Sequence, residues 1–138
     1  MKRIILVEDN IADAELVKIA IKELELPVMI HHASGNDDLY HFFDTNDLSD
    51  VVLILLDLNM PRVNGIEILK KIKSSERKRA IPVVIFTTSS SKTDIFACYD
   101  NGANAYVYKP IDYDTFNHSI KSIVEFWALN NLLPQGSK

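Results

Sequence analysis

The chain has 138 residues, enough for one domain with its own core. Apolar residues make up 47% and charged residues 25%, as in ordinary globular proteins, and a net charge of −4 without a Lys/Arg cluster argues against a nucleic-acid surface. The single cysteine, Cys98, excludes an internal disulfide framework and fits a reducing cytosol; no apolar run is long enough to span a membrane, and Glu8 and Asp9 cut the first apolar stretch too short for a signal peptide.

Residues 3–7 read as a short apolar strand that ends in two acids, Glu8 and Asp9. Asn10 is placed to cap a helix, with Asp13 three residues on in a capping-box arrangement. Leu16, Val17, Ala20, Ile21 and Leu24 form the inner stripe of that helix. Pro27 closes the connection, and residues 28–33 read as a weaker strand nearer a sheet edge. Gly35 and Asn36 turn into a helix carrying Leu39, Phe42 and Phe43, and residues 45–50 form a polar loop.

The third strand is Val51-Val52-Leu53-Ile54-Leu55-Leu56, an unbroken apolar run that enters a carboxylate, Asp57. A short run of branched side chains with no alternation is the pattern of a parallel strand buried on both faces. Residues 58–64 are expected to be a loop, and Gly65 opens a helix with Ile68, Leu69 and Ile72 inward. Residues 74–79 form a charged turn, and residues 81–86 a fourth strand that tolerates Pro82 near its start and runs into Thr87. Ser91 and Asp94 suggest a second capping box, and Asn101-Gly102 a left-handed helix stop. Residues 105–109 form the fifth strand, ended by Pro110. Asp112 caps a last helix whose Phe116, Ile120, Ile123, Val124 and Trp127 share one face; the tail from Leu132 to Lys138, with Pro134 and Gly136, is expected to fray.

Five strands alternating with five helices predict a parallel sheet with right-handed crossovers, a three-layer α/β sandwich. Parallel strands put all their carboxyl ends on one edge, where such sheets place their ligands. Four of the five strands end there in polar residues: Glu8-Asp9, Asp57, Thr87 and Lys109. Three acids at one rim raise one another's pKa and call for a cation; oxygen-only ligands suit Mg2+. A lysine and a hydroxyl opposite complete the parts for phosphoryl transfer onto a carboxylate, with Asp57 as the acceptor.

Each residue also has a plainer reading. Asp57 could be a turn residue, Glu8-Asp9 a solvated loop, Lys109 a surface lysine, Thr87 a strand former and Tyr106 core; the four strand ends together carry the functional reading. The Ser89-Ser90-Ser91 run reads as helix-start chemistry. His31, His32, His41 and His118 share no metal-ligand spacing with Cys98 and count as bystanders.

Glu8-Asp9, Asp57-Leu58-Asn59-Met60-Pro61 with Gly65, Thr87-Thr88, Tyr106 and Lys109-Pro110 resemble, as a set, a two-component response-regulator receiver domain of the chemotaxis-receiver kind. The resemblance runs from about Lys2 to about Trp127. Leu56 to Pro61, Phe86 to Ser91 and Glu125-Phe126-Trp127 resemble the single-domain regulators that accompany bacterial phytochromes. The resemblance implies a flavodoxin-like (βα)5 fold with strand order 2-1-3-4-5. It implies that Asp57 is the phosphoacceptor and that Asp9, Asp57 and the backbone carbonyl of Asn59 hold Mg2+, with Glu8 reaching it through water. Lys109, preceding a cis Pro110, would pair with the phosphoryl oxygens. Thr87 would swing in to bond them, and Tyr106 would follow as the switch aromatic. Thr88 is bulkier than the family's usual residue and would narrow the approach; Asn59 and Ser89 would influence dephosphorylation.

The expected organisation is a receiver domain over residues 1–129 and a tail over residues 130–138, with no output domain. The expected partners are a sensor histidine kinase or phosphotransfer protein and a downstream protein, not DNA or a membrane, in the cytoplasm. Output, and a homodimer, would use the face of the fourth helix, fifth strand and fifth helix. The expected chemistry is limited to the protein's own phosphorylation and dephosphorylation. Three other classes compete. A haloacid-dehalogenase-like phosphatase would want an Asp where Asn59 stands, and an FMN carrier would want a phosphate-cradling loop where Glu8-Asp9 would repel phosphate. A phosphorylation-independent adaptor on the same scaffold would not need the intact acids.

Overall fold

The structure is a computed structural model and describes residues 1–134. In chain order it contains β1 (Lys2–Val7), α1 (Ile11–Glu23), β2 (Val28–Ala33), α2 (Asn36–Thr45), β3 (Val51–Leu56), β4 (Asn59–Met60), β5 (Val63–Asn64), α3 (Gly65–Lys73), β6 (Val83–Thr87), α4 (Lys92–Asp100), β7 (Ala105–Tyr108) and α5 (Tyr113–Val124). A π-helical turn, Glu125–Asn130, continues α5.

Five strands form one parallel sheet in the order β2-β1-β3-β6-β7. This is the expected 2-1-3-4-5 order once the small antiparallel ribbon β4-β5 is set aside. That ribbon lies in the segment expected to be plain loop. The side-chain period of two explains the layers. Ile4, Leu6, Leu53, Leu55, Val84 and Phe86 face the core shared with α1 and α5. Ile5, Val7, Ile54, Leu56, Val83 and Ile85 face the core shared with α2 and α3 and with Cys98 of α4. All six residues of β3 are buried, which is why its sequence shows no alternation. Burying a side chain of that size contributes about 1.5–3 kcal/mol, so the strand ahead of Asp57 is among the most firmly seated elements.

Helix starts carry side-chain caps, but the expected Ser91–Asp94 box closes one way only: Asp94 Oδ2 accepts from Ser89 Oγ at 2.6 Å, and Ser91 N donates to Ser89 Oγ at 3.3 Å. The side chains of Asn10, Asn64, Ser91 and Asp112 accept hydrogen bonds from the backbone N–H groups of α1, α3, α4 and α5. α4 stops at Gly102, whose φ of +94° suits glycine. The Gly102 N–H donates to the Tyr99 carbonyl at 3.1 Å and the Ala103 N–H to the Cys98 carbonyl at 3.0 Å, the two bonds of a Schellman stop.

Several expectations need correction. The fourth sheet strand starts at Val83 rather than residue 81, because Pro82 has no N–H to offer the ladder; its carbonyl still accepts from Ile54 N at 2.9 Å. The inner face of α1 is Ala14, Val17, Ala20 and Ile21, while Leu16 and Leu24 are only half-buried. The last helix keeps its expected face, with Phe116, Ile120, Ile123 and Val124 buried and Trp127 packed against the same core, but it widens into a π turn after Val124. At the π turn Asn131 N donates to Phe126 O at 2.7 Å, and Lys2 Nζ takes the Ala128 carbonyl at 2.7 Å. The wider turn buries Ala128 and leaves Trp127 half-buried against the core and Phe126 exposed. In the segment expected to fray, Leu133 packs on the core; residues 135–138 lie outside the described residues. Among the described residues no peptide bond is cis, so Lys109–Pro110 is trans, not cis. The two X–Pro forms differ by only about 0.5–1 kcal/mol, too little for a sequence to decide between them.

Candidate functional site

Parallel register carries the strand ends to one rim. Val7 pairs with both Ala33 and Leu56, and Leu56 pairs with Ile85. Backbone bonds continue one residue past each strand: Glu8 N to Ala33 O at 3.1 Å, Asp57 N to Val7 O at 3.1 Å, and Lys109 N to Thr87 O at 2.7 Å. Glu8, Asp57, Thr87 and Lys109 are therefore held by the sheet itself. β1 is the point where the strand order reverses, since β2 lies on one side of it and β3 on the other, and open α/β sheets carry ligand crevices at such points.

These same four are the only buried polar or charged residues among those described, with exposures of 2%, 5%, 0% and 4% for Glu8, Asp57, Thr87 and Lys109. Acids and lysines are almost never this buried unless paired. Here they pair with each other. Lys109 Nζ donates to Glu8 Oε1 at 2.6 Å and to Asp57 Oδ2 at 3.2 Å. Carboxylate oxygens of Glu8, Asp9 and Asp57 all lie within 4.8 Å of one another. Three oxygen donors at that spacing, one of them exposed, suit a hard divalent cation such as Mg2+, which takes carboxylates and keeps waters. The residues thus fit the ion.

The mutual repulsion expected of the acids appears in only one of the pair facing Lys109. Burial first, and the Asp57 charge next to it, push the Glu8 carboxyl up to about 7 against the pull of Lys109. Asp57 moves the other way: burial opposes its charge, but the Asn59 N–H at 3.0 Å and the Lys109 ammonium outweigh it and hold the carboxyl below its usual range. Lys109 is raised, since Glu8, Asp57 and Asp13 outweigh the cost of burying its charge.

The remaining expected residues line the same rim. The Thr87 hydroxyl accepts from Ser89 N at 3.3 Å. Tyr106 is half-buried on β7, and its hydroxyl donates to the Ser89 carbonyl at 2.8 Å. The exposed Asn59 donates through Nδ2 to Thr88 Oγ1 at 2.7 Å, linking the segment after Asp57 to the segment after Thr87. Gly65 is required by close approach: a Cβ there would sit 3.0 Å from the Asp57 carbonyl oxygen and from Leu58 Cα.

Two residues of the rim escaped the sequence reading. The sequence places Asp13 as half of a capping box. Its N–H does donate to Asn10 Oδ1 at 3.0 Å, but its carboxylate turns to Lys109 at 3.0 Å, and Asn10 N is met by Glu8 at 3.3 Å instead. Its position four residues after Asp9, in the first helical turn, is the signal that could have found it. His32, set aside as a bystander, has Nε2 2.7 Å from the Glu8 carbonyl oxygen, and so holds the acidic turn from the end of β2. Nothing in its spacing from other ligands could reveal a bond to a backbone oxygen.

The fold and rim have close counterparts. The model of the response regulator receiver domain matches residues 4–121. The probable methanogenesis regulatory protein FilR2 of Methanothrix harundinacea is 38% identical, over 95% of this chain and 86% of its own. The crystal structure of the phosphorylated cyanobacterial phytochrome response regulator RcpA superposes with a TM-score of 0.89 at 35% identity, covering 97% of this chain and 99% of that one. Response regulator Rcp1 of Synechocystis, 33% identical over 96% of this chain and 93% of its own, superposes in its Mn2+-bound form with a TM-score of 0.87, covering 97% and 99% of the two chains. By these matches and by the acids, lysine and threonine at its sheet edge, the chain belongs to the receiver domains of two-component response regulators.

Proposed function

We propose that the chain is a phosphorylation switch whose acceptor is Asp57, with residues 1–129 as the receiver unit and residues 130–138 as a tail. The observation that carries the reading is that three of the four buried polar residues among those described, Glu8, Asp57 and Lys109, form one ion-paired cluster at the carboxyl edge of the sheet, with the fourth, Thr87, at the same edge. A buried ion pair is weak support for stability, so its presence points to chemistry.

In this reading an Asp57 carboxylate oxygen forms the bond to phosphorus as the bond to the donor's leaving group breaks, and that group departs with the bonding pair. The lowered pKa of Asp57 keeps it ionised for the attack. Lys109 holds a positive charge where the phosphoryl oxygens arrive, and the Thr87 hydroxyl supplies a donor beside it. Glu8, Asp9, Asp57 and the carbonyl of Asn59 would hold Mg2+, which neutralises charge on the transferred group when bound. The Mn2+-bound form of the similar Rcp1 and the acid cluster here support that assignment.

The donor would be a sensor histidine kinase or phosphotransfer protein in the cytoplasm. Ile11, 74% exposed after Asn10, and Ile111, 93% exposed after Pro110, border the rim and offer apolar contact to such a protein. The buried, unpaired Cys98 fits a reducing compartment. Output would reach a downstream protein. α4, β7 and α5 between them expose Phe96, Tyr99, Tyr108 and Tyr113, an apolar supply for that contact or for a second copy of the chain. Phosphorylation adds about −1.5 to −2 charge, which draws Thr87 toward it and frees the Tyr106–Ser89 link to rearrange.

The test is intact mass after incubation with acetyl phosphate and Mg2+. Wild type gains one phosphoryl group and Asp57→Asn gains none; a gain that persists in Asp57→Asn overturns the assignment.

A further inference from the structure

Lys109 has a third acidic partner that the reading above does not use. Its Nζ donates to Asp13 Oδ2 at 3.0 Å, besides Glu8 at 2.6 Å and Asp57 at 3.2 Å. The three acids differ in setting. The Glu8 and Asp57 side chains are 3% and 6% exposed, whereas that of Asp13 is 28% exposed at the start of α1. They also differ in what else they can bind. The oxygens close enough to share a cation come from Glu8, Asp9 and Asp57, and Asp13 is not among them.

Two of the three anions that hold Lys109 are thus the ones a divalent cation would claim. A buried ammonium that loses its partners is costly and would move toward water or stay as a competitor for the acids. The Phe86 ring, 5.8 Å from Nζ, is a weak substitute. Asp13 alone can keep the ammonium at the rim while Glu8 and Asp57 are given up. The first turn of a helix favours a negative side chain at that place.

We propose that Asp13 is a positioning residue for phosphoryl transfer: it keeps Lys109 over the crevice through metal binding, so that the ammonium is in place when the phosphoryl oxygens arrive. This rests on the reading of Asp57 as acceptor and of the acids as a Mg2+ site.

The test has two readouts on the full chain. The first is the side-chain 15N signal of the Lys109 ammonium, identified by its loss in Lys109→Arg. An ordered ammonium gives a signal where a free one exchanges away. Wild type shows it without metal and keeps it at saturating Mg2+, whereas Asp13→Asn loses it when Mg2+ is added. The second is the rate of phosphorylation by acetyl phosphate at saturating Mg2+. It falls about fivefold in Asp13→Asn, at least half of the loss is recovered in Asp13→Glu, and Glu15→Gln, the same charge change elsewhere on α1, stays within about twofold of wild type. The proposal is overturned if wild type shows no signal or loses it at saturating Mg2+, if the signal survives Mg2+ in Asp13→Asn, if the saturated rate in Asp13→Asn stays within that twofold band, or if Glu15→Gln slows as much. Failure of wild type to gain phosphate sinks the underlying reading instead, and this proposal with it.

Discussion

At the scale of single residues the site is a contest for the oxygens of Glu8. Its carboxyl, ordinarily near 4.5, is raised to about 7 in the folded chain. Between those values the unfolded chain has lost the proton and the folded chain keeps it, so stability falls as pH rises through that window and levels off above it. Asp57, shifted downward, has the opposite sign: its contribution is lost only as the pH falls through the acid range below its usual 3.8. Urea unfolding at about pH 5.5 and about pH 7.5 should show wild type weaker at the higher pH without metal, and Glu8→Gln should lose that dependence. Since a cation needs the deprotonated acid, Mg2+ affinity should rise with pH until about 7. The other residue-scale device is the Asn59–Thr88 bond across the mouth. Thr88→Ala removes a bond worth about 1 kcal/mol and a methyl group, so phosphorylation by acetyl phosphate and loss of the phosphoryl group should each speed up by about fivefold, read from the time course of intact mass. A rate unchanged or lowered would mean that this bond does not restrict access.

The elements carry the site because they are locked to one another at a few close approaches. Gly65 opens α3 directly against the Asp57 backbone. Gly65→Ala must displace that backbone, so it should cost about 1–3 kcal/mol in urea unfolding and slow phosphorylation more than a core substitution of equal cost, such as Ile72→Val. At the other edge of the sheet Lys73 Nζ bonds Arg79 O, Ile81 O and Asn104 Oδ1, and Asn104 also pairs with Val83. Gly102 packs on the stem of that lysine at positive φ, so Gly102→Ala should cost about 1–3 kcal/mol while leaving phosphorylation intact. The contrast between the two glycines separates elements that hold the site from elements that hold the fold. What was legible in the sequence follows the same division. Strands such as β1 and β3 announce themselves as apolar runs because both faces are buried, and their ends carry Glu8 and Asp57 into view. The β4–β5 ribbon, the π turn at Glu125–Asn130 and the trans bond before Pro110 rest on a few backbone bonds or a small energy difference that no pattern of side chains encodes. Asp13 looks complete in a local capping role and His32 shares no metal-ligand spacing, while their partners lie 96 and 24 positions away.

For the molecule as a whole, the sheet is a frame that brings a chain's distant acids together at some cost, and binding should recover part of it. A ligand that binds only the folded chain stabilises it according to its concentration over its dissociation constant, by about 2.7 kcal/mol at a hundredfold excess. Saturating Mg2+ should therefore raise the unfolding midpoint of wild type, and chelation should reverse the shift; Asp9→Asn should show a much smaller shift. In the reading offered above, the exposed aromatics on α4, β7 and α5 meet a protein surface. The central claim, however, concerns a single covalent bond. Borohydride reduction of the phosphorylated chain converts an aspartyl phosphate to homoserine, and peptide sequencing then locates it. The account predicts homoserine at position 57 and nowhere else; homoserine at any other aspartate, or none in a chain that has gained phosphate, would contradict it.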